Sequence, residues 1–239
     1  MAEPLLALRE VGHSFGGLSV LRSVTFDVPE GGIIGLIGPN GSGKTTLISC
    51  ISGALQNDGG SIKFEGREMT GMKAFERTRL GIARSFQIPR PFKSMTVLEN
   101  LMVPLAYVGG INGSKAEAEA MHILERMGLA SKASTISAQL SQVELRKMEL
   151  ARAMAAKPKL LISDEALAGL AGAEVDEVLQ ILFDLNELGI TIIMIEHIMQ
   201  AVMKFSHRVV CLDTGRIICE GTPETIIQNP DVQRAYLGD

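Results

Sequence analysis

Apolar positions change their spacing along this chain. Near the start, Leu5–Val11 and Leu21–Val28 are short, β-rich segments on either side of the turn-like Ser14-Phe15-Gly16-Gly17. Ile33-Ile34-Gly35-Leu36-Ile37 is instead a continuous apolar run, the pattern of a strand buried on both faces. A glycine-rich turn follows, then a helical pattern over Thr45–Leu55 and a return strand at Ser61–Phe64 after the Asp58-Gly59-Gly60 turn. From Thr96 to Lys157 the period is helical. Thr96 and Glu99 have capping-box spacing ahead of a helix through about Leu105, and Ser141 and Glu144 repeat it ahead of Val143–Ala156. Between them, Lys115–Met127 is amphipathic and stops at Gly128.

Beyond Pro158 the α/β alternation resumes. Leu160–Ser163 is apolar, Ala173–Leu188 is helical, Thr191–Ile195 is a second buried run and Ile198–Phe205 is helical. Val209–Leu212 and Arg216–Cys219 pair as a hairpin across Thr214-Gly215. No internal repeat interrupts this order. It predicts an α/β fold with an N-terminal antiparallel portion and a helical insertion. The expected division is a single domain, with residues 1–88 and 158–239 as its core and 89–157 as a helical subdomain.

Composition narrows the class without adding chemistry. The 239 residues are 46% hydrophobic and 21% charged, ordinary globular usage. The net charge of −4 disfavours a general nucleic-acid binder. Cys50, Cys211 and Cys219 form no CxxC pair, so a disulfide framework or zinc site is not expected and a reducing compartment is. The N-terminus has neither the basic nor the apolar part of a signal peptide. The longest uncharged apolar stretches, Leu101–Ile111 and Gly189–Ile195, fall short of the roughly 18–20 residues of a membrane span.

Two motifs carry chemistry. Gly38-Pro39-Asn40-Gly41-Ser42-Gly43-Lys44-Thr45 fits G-x-x-x-x-G-K-[ST] between a buried strand and a helix, and Thr46 continues that helix. Glycines let the backbone curl so that several N–H groups face one phosphate, and the helix aims its positive end at the same point. Lys44 supplies a charge for the β/γ-phosphates, and the Thr45 hydroxyl can ligate Mg²⁺. Leu160-Leu161-Ile162-Ser163-Asp164-Glu165 is an apolar strand ending in two carboxylates. Asp164 suits Mg²⁺, and Glu165 suits a general base on the attacking water. The chain is expected to bind ATP with Mg²⁺.

These motifs, the helical insertion between them and several smaller segments resemble the ATP-binding subunits of ABC transporters from about Leu5 to Leu237. Gly81-Ile82-Ala83-Arg84-Ser85-Phe86-Gln87, then Met95–Asn100, Ile195-Glu196-His197 and the terminal Arg234-Ala235-Tyr236-Leu237-Gly238 are similar to the branched-chain amino-acid importer ATPases. The resemblance implies a P-loop NTPase fold with a RecA-like core. It implies that Gln87 touches Mg²⁺ and the water, that His197 contacts the γ-phosphate and that Phe15 stacks on adenine. It also implies that Ser141 caps the γ-phosphate of ATP held by a second ATP-binding subunit, in a homodimer or a heterodimer. The implied partners are a transmembrane permease and, indirectly, a solute-binding protein, with no nucleic acid. The implied location is peripheral, on the cytoplasmic face of the inner membrane.

The signature segment departs from the usual Leu-Ser-Gly-Gly-Gln. Here it reads Leu140-Ser141-Gln142-Val143-Glu144, Ala166 stands in the usual place of Pro, and Ala171 stands where Asp or Asn would bridge two subunits. A branched Val143 can hinder close approach to phosphate, and Glu144 opposes it unless the carboxylate turns back into its capping bond. These departures motivate a second class, a catalytically impaired nucleotide-binding subunit of a heterodimeric ABC complex with a regulatory role. A third class, a non-transport ABC ATPase on DNA or in translation, usually carries additions that this chain lacks. The Pro89, Pro91 and Phe92 region and Met95–Tyr107 are candidates for the permease groove.

Overall fold

β1 (Leu6–Phe15) and β2 (Leu18–Val28) pair antiparallel, and β1 also pairs antiparallel with β4 (Gly59–Phe64), which carries the short β5 (Arg67–Glu68) at the sheet edge. The structure, a computed structural model, describes residues 3–85 and 90–237. β3 (Ile33–Ile37) is buried along its whole length and lies inside a second sheet of six strands. Its neighbours on one side are β8 (Thr191–Ile195), β7 (Leu160–Asp164) and β6 (Ile82–Arg84), all parallel to it. On the other side lies parallel β9 (Arg208–Asp213), followed by antiparallel β10 (Arg216–Gly221).

The period of two along β3 divides the core. Ile34 and Leu36 pack with Leu6, Leu8, Phe26 and Phe64 of the antiparallel sheet and with α1 (Lys44–Ser52). Ile33 and Ile37 face the opposite layer, which continues into the inserted helices α3 (Val97–Tyr107), α4 (Ser114–Arg126) and α5 (Gln142–Ala155). α6 (Ala173–Glu187) and α7 (Met199–Phe205) close the same layer through Leu182, Val202 and Phe205. The capping boxes at Thr96/Glu99 and Ser141/Glu144 both form. Among the described residues, no helix is long and apolar enough to cross a membrane.

Boundaries differ from the sequence pattern where backbone contacts outweigh it. β1 runs past Val11 to Phe15, and the turn shrinks to Gly16-Gly17 at φ 54° and 89°. Asp58 holds that extension, because its Oδ2 accepts the Ser14 N–H at 2.6 Å. α1 ends at Ser52 with Gly53 in the left-handed conformation, although the apolar spacing continues to Leu55. The fully buried Arg77 of α2 (Ala74–Leu80) explains the stop. Its guanidinium donates to the carbonyls of Cys50 at 2.5 Å, Ile51 at 2.9 Å and Met69 at 2.8 Å, capping the end of α1. α3 continues to Tyr107 with Pro104 inside it, slightly beyond the expected end at Leu105. The short α8 (Pro223–Gln228) and α9 (Pro230–Leu237) each begin on proline, whose fixed φ suits a first helical turn.

Candidate active site

The loop from β3 to α1 is shaped by what its glycines cannot replace. Gly38 sits at φ 150°, and a Cβ there would lie 2.0 Å from the Leu212 carbonyl oxygen. Gly43, at φ 107°, would bring a Cβ to 3.0 Å from Leu21 Cδ2 and from the Val20 oxygen. The loop is thus pressed against β2 and β9, and any larger residue would lift it away. Lys44 is 6% exposed, and its Nζ donates to the carbonyls of Gly38 at 2.7 Å and Pro39 at 3.0 Å. Burial is the largest influence on its ammonium and lowers its pKa, while Glu165, Cys211 and Asp164 pull the other way. Ser42 Oγ is buried beside Gly38 with no hydrogen-bond partner, a polar atom left over inside the loop.

Two carboxylates reach this loop from the end of β7. Asp164 is 5% exposed, and its Oδ2 accepts from Arg84 Nη2 at 2.6 Å and Nε at 3.2 Å. Glu165 follows at φ 49°, a left-handed conformation that costs a non-glycine residue on the order of 1 kcal/mol. Its N–H donates to the Ile195 carbonyl at 2.9 Å, and its Oε1 lies 2.9 Å from His197 Nε2. The register explains the meeting. Asp164 pairs with Ile195 on the adjacent parallel strand, so the next residues of both strands emerge at one edge.

Phe15, Asn40, Gly41, Lys44, Thr45, Thr46, Glu165 and His197 line one cleft of about 320 Å³. Phe15 stands at its mouth, 49% exposed, with the His13 ring edge-on at 4.6 Å between centroids. A flat base can stack on such a ring while phosphates follow the loop amides toward Lys44. The donor set also fits a hard cation, since the Thr45 hydroxyl and the Asp164 carboxylate offer oxygens only. Gln87 lies outside the described residues. Gly38, Pro39 and Ser42 shape the loop behind the cleft, and Ser141 is not among the residues that line it.

The chain matches the ABC transporter family over residues 21–168 and the branched-chain amino acid ATP-binding cassette transporter segment over residues 216–239. It belongs to the ABC transporter ATPases. Relatives of this ABC ATPase include the high-affinity branched-chain amino acid transport ATP-binding protein LivG of Salmonella typhimurium, 38% identical across 100% of both chains. The corresponding BraF of Pseudomonas aeruginosa is 37% identical, again across 100% of both. A nucleotide-free ATP-binding cassette from an ABC transporter has the same fold, with a TM-score of 0.91 at 30% identity over 99% of this chain and 100% of that one. The ADP conformation of such a cassette also gives 0.91, at 31% identity over 100% of both. The fold class and the nucleotide chemistry expected from the sequence are those of the family.

In this ABC ATPase the start of α5 lies elsewhere and is exposed. Ser141 caps the helix by accepting the Glu144 N–H at 3.3 Å, and Glu144 Oε2 accepts the Ser141 N–H at 2.8 Å. Lys132 Nζ lies 3.2 Å from the other Glu144 oxygen. The backbone N–H of Ser141 is the largest influence holding the Glu144 pKa low. The carboxylate therefore turns back into its cap. Val143 is half-buried against the core. Gln142 Nε2 and Arg146 Nη2 both donate to the Ala168 carbonyl, at 3.4 and 2.9 Å, tying α5 to the loop after Glu165. A Cβ on Gly169 would meet that Gln142 amide at 2.1 Å, so the Gln142 side chain lies directly over the loop.

Two residues near the carboxylates have no counterpart in the motif reading. Arg84 ends β6 and neutralises Asp164, and the signal for it was a cation on an otherwise apolar strand. Glu196 is 3% exposed, and its Oε1 accepts the Leu167 N–H at 2.8 Å. Burial pushes its pKa up to about 7, with Glu165 adding to the rise and the Leu167 N–H and Arg146 opposing it. A carboxylate between a buried strand and a histidine is a weak signal, and only packing reveals its role.

Proposed function

We propose that this chain is the ATP-binding subunit of an importer for branched-chain amino acids or related small solutes. It would lie on the cytoplasmic face of the inner membrane beneath a separate permease supplied by a solute-binding protein. The observation that carries this reading is the cleft itself, where Lys44 and Thr45 face Glu165 and His197. The solute class rests on the full-length similarity to LivG and BraF and on the matched segment 216–239.

In this reading Phe15 stacks on adenine, and the amides of Asn40 to Thr46 with Lys44 hold the phosphates. Thr45 and Asp164, with Gln87, would hold Mg²⁺, which when bound neutralises charge on the β- and γ-oxygens. Glu165 is the base for the attacking water, and its contact with His197 orients both groups toward the γ-phosphate position. Ser141 serves the nucleotide of a second ATP-binding subunit, because the exposed start of α5 lies outside the chain's own cleft. The engaged Glu144 and inward-packed Val143 answer the two objections raised at the signature segment itself and support an active donated half.

Residues 1–88 and 158–239 form the catalytic core in this proposal, and 89–157 the helical subdomain. A cavity of about 260 Å³ between them, lined by Arg84, Arg90, Pro104, Val108, Glu149 and Arg152, suits the permease. Arg152, which lines this cavity, also holds its guanidinium 5.2 Å from the ring centre of Phe92.

The test is ATP-driven uptake into proteoliposomes holding this chain, its second ATP-binding subunit and the permease, with solute-binding protein supplied outside. Labelled leucine, isoleucine and valine should accumulate, and glutamine and urea should not. Accumulation of an amide or urea in place of the aliphatic amino acids would overturn the solute class while leaving the ATPase intact.

A further inference from the structure

The C-terminal helix α9 reaches the nucleotide loop from the far end of the chain. Gly38 lies just past the last β3–β9 pair, Ile37 with Cys211, so its N–H points beyond the ladder. That N–H donates to the Tyr236 hydroxyl at 2.7 Å across 198 positions of sequence. The carbonyl of the same glycine accepts the Lys44 ammonium at 2.7 Å. One residue therefore joins the phenol of α9 to the lysine that meets the phosphates. Gly38 cannot yield sideways, because the Leu212 carbonyl fills the place of its missing Cβ.

α9 is itself fixed. Asn229 Oδ1 accepts the N–H groups of Asp231 at 2.9 Å and Val232 at 3.2 Å, and its amide donates to Cys219 Sγ of β10 at 3.2 Å. Val232 is 4% exposed and belongs to the core. Tyr236 is 40% exposed overall, but its hydroxyl sits inward on the Gly38 N–H, and burial there pushes its pKa up to about 12, with Cys211 adding to the rise and the Gly38 N–H opposing it. The phenol thus stays protonated and presents a neutral oxygen to the amide at working pH.

We infer that Tyr236 is a positioning residue for nucleotide binding, whose hydroxyl holds Gly38 at the entry of the loop and thereby sets where Lys44 sits. This goes beyond the motif chemistry and assigns work to the matched C-terminal segment. It rests on the loop being the nucleotide site.

The test uses the full chain with Mg·ADP. Tyr236→Phe keeps the ring and removes the acceptor, and orphaning one buried amide should weaken Mg·ADP binding about fivefold. Turnover at saturating ATP should change less than KM. A second measurement covers a variant that fails to fold. The chain has two tyrosines, Tyr107 and Tyr236, so 3-fluorotyrosine labelling gives two ¹⁹F resonances that Tyr107→Phe assigns. Saturating Mg·ADP should shift the Tyr236 resonance and leave that of Tyr107, which is 75% exposed on α3, in place. Wild-type affinity in Tyr236→Phe, or a Tyr236 resonance unmoved at saturation, would overturn the inference alone. A wild-type chain that fails to bind Mg·ADP would overturn the nucleotide reading with it.

Discussion

The cleft around Lys44 and the start of α5 treat their polar groups in opposite ways. In the cleft, charged groups converge under burial and strain: Lys44 is 6% exposed, Glu165 adopts a strained backbone to face His197, and behind them Asp164, 5% exposed, is paired with Arg84. At α5 the polar groups are exposed and satisfied locally, with Ser141 and Glu144 bonded to each other. The first arrangement stores strain and desolvation, which persists where a ligand will use it. The second is a finished helix end whose remaining amides point outward. In the proposed function the chain holds one nucleotide with its own residues and offers the start of α5 to a nucleotide held by a second subunit.

The comparison breaks most visibly at Glu165. Glu165→Gln should slow ATP turnover at the site this chain holds by about 10²- to 10⁴-fold while leaving ATP binding intact. Parallel loss of binding and turnover, measured by calorimetry and phosphate release, would show that Glu165 holds the loop rather than the water.

A smaller effect separates buried from exposed carboxylates by pH. Burial raises Glu196 to about 7 from the usual 4.5. Between those values the folded chain keeps a proton that the unfolded chain has lost, so stability is greatest below 4.5 and falls as pH rises to about 7. Urea unfolding should therefore give a loss on the order of 2 kcal/mol between pH 5 and pH 8 that Glu196→Gln abolishes. An unchanged slope in that variant would place the pH dependence in other groups.

The smallest effect lies at the helix end. Glu144→Ala removes one arm of the capping box and should cost about 1 kcal/mol, or about 2–4 °C in Tm for a chain of this size. ATP affinity of the isolated chain should not change. A fall in affinity would place α5 within the chain's own cleft.

How much of this was legible in the sequence follows the same division. The nucleotide loop was readable because its glycines answer to local backbone geometry, as at Gly41 and Gly43, which stand at φ 80° and 107°. The strands β3, β7 and β8 were readable because burial on both faces leaves continuous apolar runs. Gly53 ended α1 early through the carbonyl bonds of Arg77, a residue distant in sequence that no local pattern connects to it. Arg84 on Asp164, Glu196 on Leu167 and Tyr236 on Gly38 are likewise long-range bonds. Periodicity carries no trace of such pairs. Nor does a motif show which way the Val143 and Glu144 side chains turn; packing and the capping bond decide it.

In the proposed function, α5 serves a nucleotide other than the chain's own. Ser141→Arg tests this directly, with ATP affinity measured on the isolated chain and turnover on the reconstituted transporter. The predicted result is unchanged affinity with at least half of the turnover lost, since one composite site depends on this serine in a heterodimer and both do in a homodimer. Lost affinity in the isolated chain, or full turnover in the transporter, would contradict it.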